Sequence, residues 1–81
     1  IVEHPRSIAG TRLALFFREL GHGKVKVSFR STGDVDVNAL ARDFGGGGHA
    51  KAAGALITGG ADDVRARVVE AARRHLRAMD D

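Results

Sequence analysis

The chain has 81 residues, a 43% hydrophobic share and a formal charge of +3, which together fit one small globular domain with a single core. It contains no cysteine, and this excludes a disulfide framework, thiolate metal ligands and thiol redox chemistry. No apolar run reaches the roughly 18 residues that a membrane span needs. The small excess of basic residues is better explained by a solvated helix face than by a polyanionic partner, so charge alone identifies no function.

The first predicted elements are two strands joined by a hairpin. Residues 1–10 show no periodic pattern, and we expect them to lead into the domain, residues 11–81, from a preceding N-terminal lobe. Residues 13–20 form an apolar run short enough to be a buried strand. Residues 24–31 alternate between apolar and polar side chains, which is typical of a strand with one solvated face. Gly21, His22 and Gly23 between them predict a three-residue hairpin loop.

A helix is predicted next, with Asp36 as its N-cap and Val35 placed to pack against Leu40. Gly45 stands where a C-terminal capping glycine is expected. Residues 49–53 are predicted to form one helical turn, residues 54–58 an interior strand, and the acidic pair at 62–63 the start of a long final helix. The resulting order is β-β-α-loop-β-α, which predicts a small α/β domain with a mixed sheet covered by helices.

The four glycines 45–48 and the following His49 need a special explanation, because each glycine in an ordered segment costs roughly 0.5–1 kcal/mol relative to alanine. One interpretation is an anion nest, in which successive N–H groups point at a phosphate beside the His49 imidazole. Arg30 and Ser28 share the polar face of their strand and are placed to complete such a phosphate site, although taken alone they are better explained by a solvated sheet face. The alternative is a flexible surface connection with an exposed histidine.

Other known chemistries do not fit the sequence. Lys51 is followed by Ala52, so the nucleoside-triphosphate loop lacks its magnesium-binding hydroxyl. The glycines follow a helix, whereas a dinucleotide-binding loop follows a strand. Asp34 and Asp36 have no histidine at ligand spacing, so turn and cap roles explain them better than a metal site. We therefore predict no catalytic residue and no metal ligand in this chain.

Three segments resemble a known family: Ser28-Phe-Arg-Ser31, the segment 33–38 (Gly-Asp-Val-Asp-Val-Asn) and the segment 45–54 (Gly-Gly-Gly-Gly-His-Ala-Lys-Ala-Ala-Gly). They look like the C-terminal DHH-associated domain of DHH-family phosphoesterases, and most of all the bacterial nanoRNase and pAp phosphatase branch, which is related to RecJ-like enzymes.

The resemblance implies a cytoplasmic two-lobed enzyme. Its N-terminal lobe would hold manganese, and this domain would hold short RNA or a nucleotide such as pAp across the cleft. Carried onto this sequence, Arg30 and His49 would contact the phosphate or terminal nucleotide, Gly46, Gly47 and Gly48 would line the cleft, and Ser28 would contribute less. The Asp-His-His metal motif of the family is absent from these 81 residues, so the chain alone is predicted to be inactive.

Two alternatives remain open. The domain is also similar to a non-catalytic RNA-binding appendage of alanyl-tRNA synthetases. A purely structural role, such as formation of a homodimer through the long final helix, is the other.

Overall fold

A computed structural model describes residues 3–8, 13–32 and 35–80, with side chains for 13–32 and 35–78. The elements in chain order are β1 (Glu3–Ile8), β2 (Leu13–Gly21), β3 (Lys24–Ser31), α1 (Val37–Arg42), β4 (Gly47–Gly48), β5 (Ala52–Thr58) and α2 (Ala61–Asp80). The predicted small α/β domain with one helix on each side of the glycine segment is confirmed.

The described strands form one sheet in the order β1-β2-β3-β5-β4, and all four neighbouring pairs are antiparallel. The sheet is therefore antiparallel rather than mixed. Three of its pairs join strands that follow one another along the chain, and β5 returns beside β3 in the opposite direction after the segment that contains α1 and β4. Glu3–Ile8, within the segment expected to lack regular structure, pairs with β2 along its whole length. The role of that segment as a link to a preceding lobe stays a prediction.

The β2–β3 hairpin is tighter than expected. Gly21 pairs with Lys24, which leaves a two-residue turn of His22 and Gly23, and the ladder is irregular between Glu19 and Gly21. Both turn residues have positive φ, 56° and 71°, as a type I′ turn requires. This turn matches the twist of antiparallel strands, so it replaces the predicted three-residue loop.

One face of the sheet forms the core. Its buried side chains on the strands are Leu13, Leu15, Phe17, Val25, Val27, Phe29, Ala53, Ala55 and Ile57. Helix α1 packs against β4 and β5, and α2 packs against β2 and β3. The predicted stripe of α2 is buried at Val64, Val68, Ala71, Ala72 and Leu76, whereas the side chain of Met79 lies outside the described part. The opposite face of the sheet therefore stays uncovered by helices.

The helix boundaries follow the expected chemistry. Asp36 caps α1, with its carboxylate accepting hydrogen bonds from the N–H groups of Asn38 at 3.0 Å and Ala39 at 3.3 Å. The neighbouring Val35 and Leu40 are both buried in the core, as the sequence predicts. Among the described residues, no helix is long and apolar enough to cross a membrane.

Candidate functional site

The glycine segment begins as the closure of α1. Gly45 has φ +82°, and its N–H donates to the Arg42 carbonyl at 3.1 Å. The N–H of Gly46 donates to the Ala41 carbonyl at 3.0 Å, which completes the hydrogen-bond pair of a Schellman motif. The predicted capping role of Gly45 is confirmed.

The next glycines allow β4 to lie unusually close to β5. A Cβ at Gly46 would fall 2.1 Å from the Gly54 carbonyl oxygen and 2.7 Å from Ala55 Cα. A Cβ at Gly48 would fall 2.7 Å from both the Ala52 carbonyl oxygen and Ala53 Cα, and the φ of Gly48, +155°, also favours glycine. These two glycines are thus required by close backbone packing.

The predicted anion nest is wrong for most of its N–H groups. Besides those of Gly45 and Gly46, the N–H of Gly48 donates to Asn38 Oδ1 at 3.0 Å, and that of His49 donates to the Ala52 carbonyl at 2.8 Å. A donor already used inside the fold is not available to a ligand without breaking that bond. The N–H groups of Gly45, Gly46, Gly48 and His49 are therefore satisfied by the protein itself.

The segment after His49 is a hairpin turn and not the predicted helical turn. His49 and Ala52 exchange two backbone hydrogen bonds, of 2.8 and 3.2 Å, and β5 begins at Ala52. The carbonyls at the tip are also held, because Ala50 accepts from the Val37 N–H at 2.8 Å and Lys51 accepts from the Ser31 N–H at 3.0 Å. The turn is therefore anchored to β3 and α1, while the side chains of His49 and Lys51 are exposed.

The strand register brings the other predicted site residues next to this turn. On β3, Arg30 pairs with Ala52 and Ser28 pairs with Gly54. Because Ala52 in turn pairs with His49 through its hydrogen bonds, the backbones of Arg30 and His49 lie two strand spacings apart, roughly 10 Å. Gly47, opposite Gly54, belongs to the same row of the sheet as Ser28.

Ser28 and Arg30 line one shallow depression on the uncovered face of the sheet, together with Phe16 and Arg18. Arg30 is exposed and Ser28 is half-buried. Within the described part of the chain, the side chain of Arg30 has no hydrogen-bond or ion-pair partner, and the same holds for the side chains of His49 and Lys51. Their charged or polar groups are therefore free to bind a ligand.

The sequence interpretation missed three residues here. Phe16 and Arg18 were included in an apolar run, although the alternation of buried Leu13, Leu15 and Phe17 would have placed them on the other face. Asn38 is the third, and its side-chain oxygen accepts from the N–H of Gly48, ten residues away in the chain. Local periodicity gives no signal for a contact of that kind.

The described residues contain no group of three or more histidine, cysteine, aspartate or glutamate side chains that would hold a metal ion. The geometry places an exposed arginine, a serine hydroxyl and an aromatic ring around one depression, two strand spacings from an anchored turn that contains His49.

Comparison with known proteins identifies a family and several relatives. The profile of the DHHA1 domain matches residues 1–78. A bifunctional oligoribonuclease and PAP phosphatase NrnA from Thermus thermophilus is 43% identical over 72 residues, which cover 88% of this chain and 22% of the relative. The protein of the same name from Mycoplasma genitalium is 40% identical over 52 residues, which cover 64% of this chain and 16% of the relative. The one from Mycoplasma pneumoniae is 43% identical over 51 residues, which cover 63% of this chain and 15% of the relative.

The chain thus spans about a fifth of the length of its Thermus relative. The region matched by the family profile, residues 1–78, contains the uncovered sheet face and the glycine-histidine segment described above. With a family profile that covers 78 of its 81 residues, the chain belongs to the DHHA1 domain family.

Proposed function

We propose that this domain binds the substrate of a larger oligoribonuclease and pAp phosphatase, holding a phosphate of short RNA or pAp between Arg30 and the His49 turn. The observation that carries the proposal is the register of β3, β5 and β4, which aligns an exposed arginine with an anchored turn bearing His49 and Lys51. The similarity to NrnA proteins supports this class of substrate.

The chemistry of the surface suits a phosphate. A guanidinium offers a planar fork of donors that matches two phosphate oxygens, and the Ser28 hydroxyl is a further donor in the same depression. His49 adds a donor that becomes cationic when the imidazole is protonated. Because the N–H groups of Gly45, Gly46 and Gly48 are used inside the fold, side chains rather than a backbone nest supply the phosphate contacts in this proposal.

Bond cleavage is assigned to another part of such a larger protein. The described residues do not fit a manganese site. We therefore assign the manganese expected from the resemblance to an N-terminal lobe, a region that this domain does not cover. The contribution of this chain is then positional: it fixes the phosphate at one distance from a reacting centre. We expect the whole enzyme to prefer substrates of a few nucleotides, because one fixed phosphate site selects length more than base identity.

The test is titration of the 81-residue chain with pAp and with a dinucleotide by isothermal calorimetry. Losing a charge-assisted hydrogen bond costs about 1.5–3 kcal/mol, so Arg30→Ala is expected to weaken binding about 10- to 150-fold. His49→Ala is expected to weaken it by a smaller factor. Arg30→Lys keeps the charge but loses the planar fork of donors, so its affinity for pAp is expected to lie between those of the wild type and Arg30→Ala.

The matched control is Arg73→Ala, which removes an exposed arginine from α2, in the helical layer on the other side of the sheet. Its affinity for pAp is expected to equal that of the wild type. If Arg30→Ala and His49→Ala both bind as the wild type does, the site assignment is refuted. If the chain binds long structured RNA as tightly as the dinucleotide, the RNA-binding appendage is the better description.

A further inference from the structure

Phe16 differs from the other aromatic residues of the chain. Of the four phenylalanines, Phe17 and Phe29 are 4% and 0% exposed in the core, and Phe44 packs against its edge. Phe16 instead lies half-buried on the sheet face that the helices leave uncovered. Phe16 belongs neither to the core cluster nor to the partly buried residues packed against it, so core packing does not explain the position of this ring.

Phe16 is surrounded by polar and cationic side chains. The ring lines the same depression as Ser28 and Arg30, and Phe16 is the direct cross-strand partner of Ser28. Arg30 is the diagonal neighbour on the same face, about 7–8 Å away between Cα atoms. An aromatic face and a guanidinium at this spacing offer one surface for a base and one for a phosphate.

We propose that Phe16 is the platform on which a nucleobase of the bound substrate stacks while Arg30 holds a phosphate. This inference rests on the function proposed above and assigns the ring a positioning role in it. Exposed aromatic residues on open sheets bind single-stranded nucleic acid in this way, and stacking is tolerant of base identity because every base has a π-face. We therefore expect the domain to bind nucleotides of any base, with little discrimination among the four nucleobases.

The experiment compares two ligands on three variants. The ligands are pAp and its base-free analogue, ribose 3′,5′-bisphosphate, which present the same phosphates. Phe16→Leu keeps apolar bulk but removes the π-face, Leu56→Ala removes an exposed apolar side chain elsewhere on the same sheet face, and Phe16→Trp introduces a fluorophore into a chain with no tryptophan or tyrosine. Circular dichroism confirms that each variant is folded.

The wild type is expected to prefer pAp over ribose bisphosphate by about 5- to 150-fold, the range that base–aromatic stacking contributes. Phe16→Leu is expected to lose that preference, with ribose bisphosphate affinity unchanged, and Leu56→Ala to retain it. The fluorescence of Phe16→Trp is expected to fall on addition of pAp and not of ribose bisphosphate.

Failure of each proposal has its own signature. Equal affinity of the wild type for the two ligands, or a pAp preference that survives in Phe16→Leu, would refute the stacking platform and leave the phosphate site standing. If neither pAp nor ribose bisphosphate binds, the proposed function is refuted, and the stacking platform with it.

Discussion

Replacing Gly46 with alanine tests whether the glycine segment serves packing or ligand binding. The added Cβ would lie 2.1 Å from the Gly54 carbonyl oxygen and 2.7 Å from the Cα and Cβ of Ala55. These neighbours are backbone or next to it, so no side-chain rotation relieves the contact. The φ of Gly46 is not in the left-handed region, so the effect of the substitution is steric.

The expected loss of stability follows from this geometry. Forcing one extra carbon into a packed site costs about 1–3 kcal/mol. For a domain of this size, each kcal/mol lowers Tm by about 4–8 °C, so Gly46→Ala is expected to melt about 4–24 °C below the wild type. That loss is a large part of the total, since about 0.05–0.15 kcal/mol per residue gives only roughly 4–12 kcal/mol for the whole chain.

Thermal unfolding followed by far-ultraviolet circular dichroism measures the shift. Gly60→Ala is the matched control, because a Cβ there meets no atom within 4 Å and Gly60 has no positive φ. Its Tm is expected to change by only a few degrees. If Gly46→Ala melts like the wild type but binds pAp more weakly, the glycine acts on the ligand, and the close-packing explanation is refuted.

Two further substitutions test the supports of the site. Asn38→Ala removes the acceptor of the Gly48 N–H, so it is expected to lower the free energy of unfolding in urea by about 0.5–1.5 kcal/mol and to weaken pAp binding. Asn38→Asp keeps an acceptor oxygen and is expected to restore most of the stability and the affinity. Equal loss in the two variants would contradict this role of Asn38. Asp36→Ala removes the cap of α1 and is expected to lower the free energy of unfolding by about 0.5–2 kcal/mol. Asp36→Asn has a side chain that still caps the helix, so its stability is expected to stay near that of the wild type. If Asp36→Ala is as stable as the wild type, the capping argument is refuted.

The elements predicted correctly are those whose signals are local. The alternation at 24–31, the carboxylate of Asp36 at a helix start and the stripe of α2 each depend on residues a few positions apart. Strand β1 was not predicted because its pairing with β2 depends on a neighbour up to fifteen residues away, and its own sequence has no alternation. Strand β4 consists of two glycines, which have no side chains from which a period could be recognised.

The candidate site was predicted in part for the same reason. Alternation placed Ser28 and Arg30 on one face, and the structure brings both into one depression. The glycine N–H groups were assigned to a ligand because the sequence does not show their acceptors, such as Asn38 Oδ1 and the Ala52 carbonyl. Whether a backbone donor is free is decided by tertiary contacts, which a glycine count does not contain.

This reassignment changes how a phosphate would be recognised. In a nest, the ligand itself would order the glycines and lose part of its binding energy in doing so. Here the protein has already ordered them through α1, Asn38 and β5, so the turn that bears His49 is fixed before binding. Affinity should then depend on the side chains of Arg30 and His49, and on glycine only through the position of that turn. A glycine substitution that leaves the fold intact should consequently affect binding less than Arg30→Ala does.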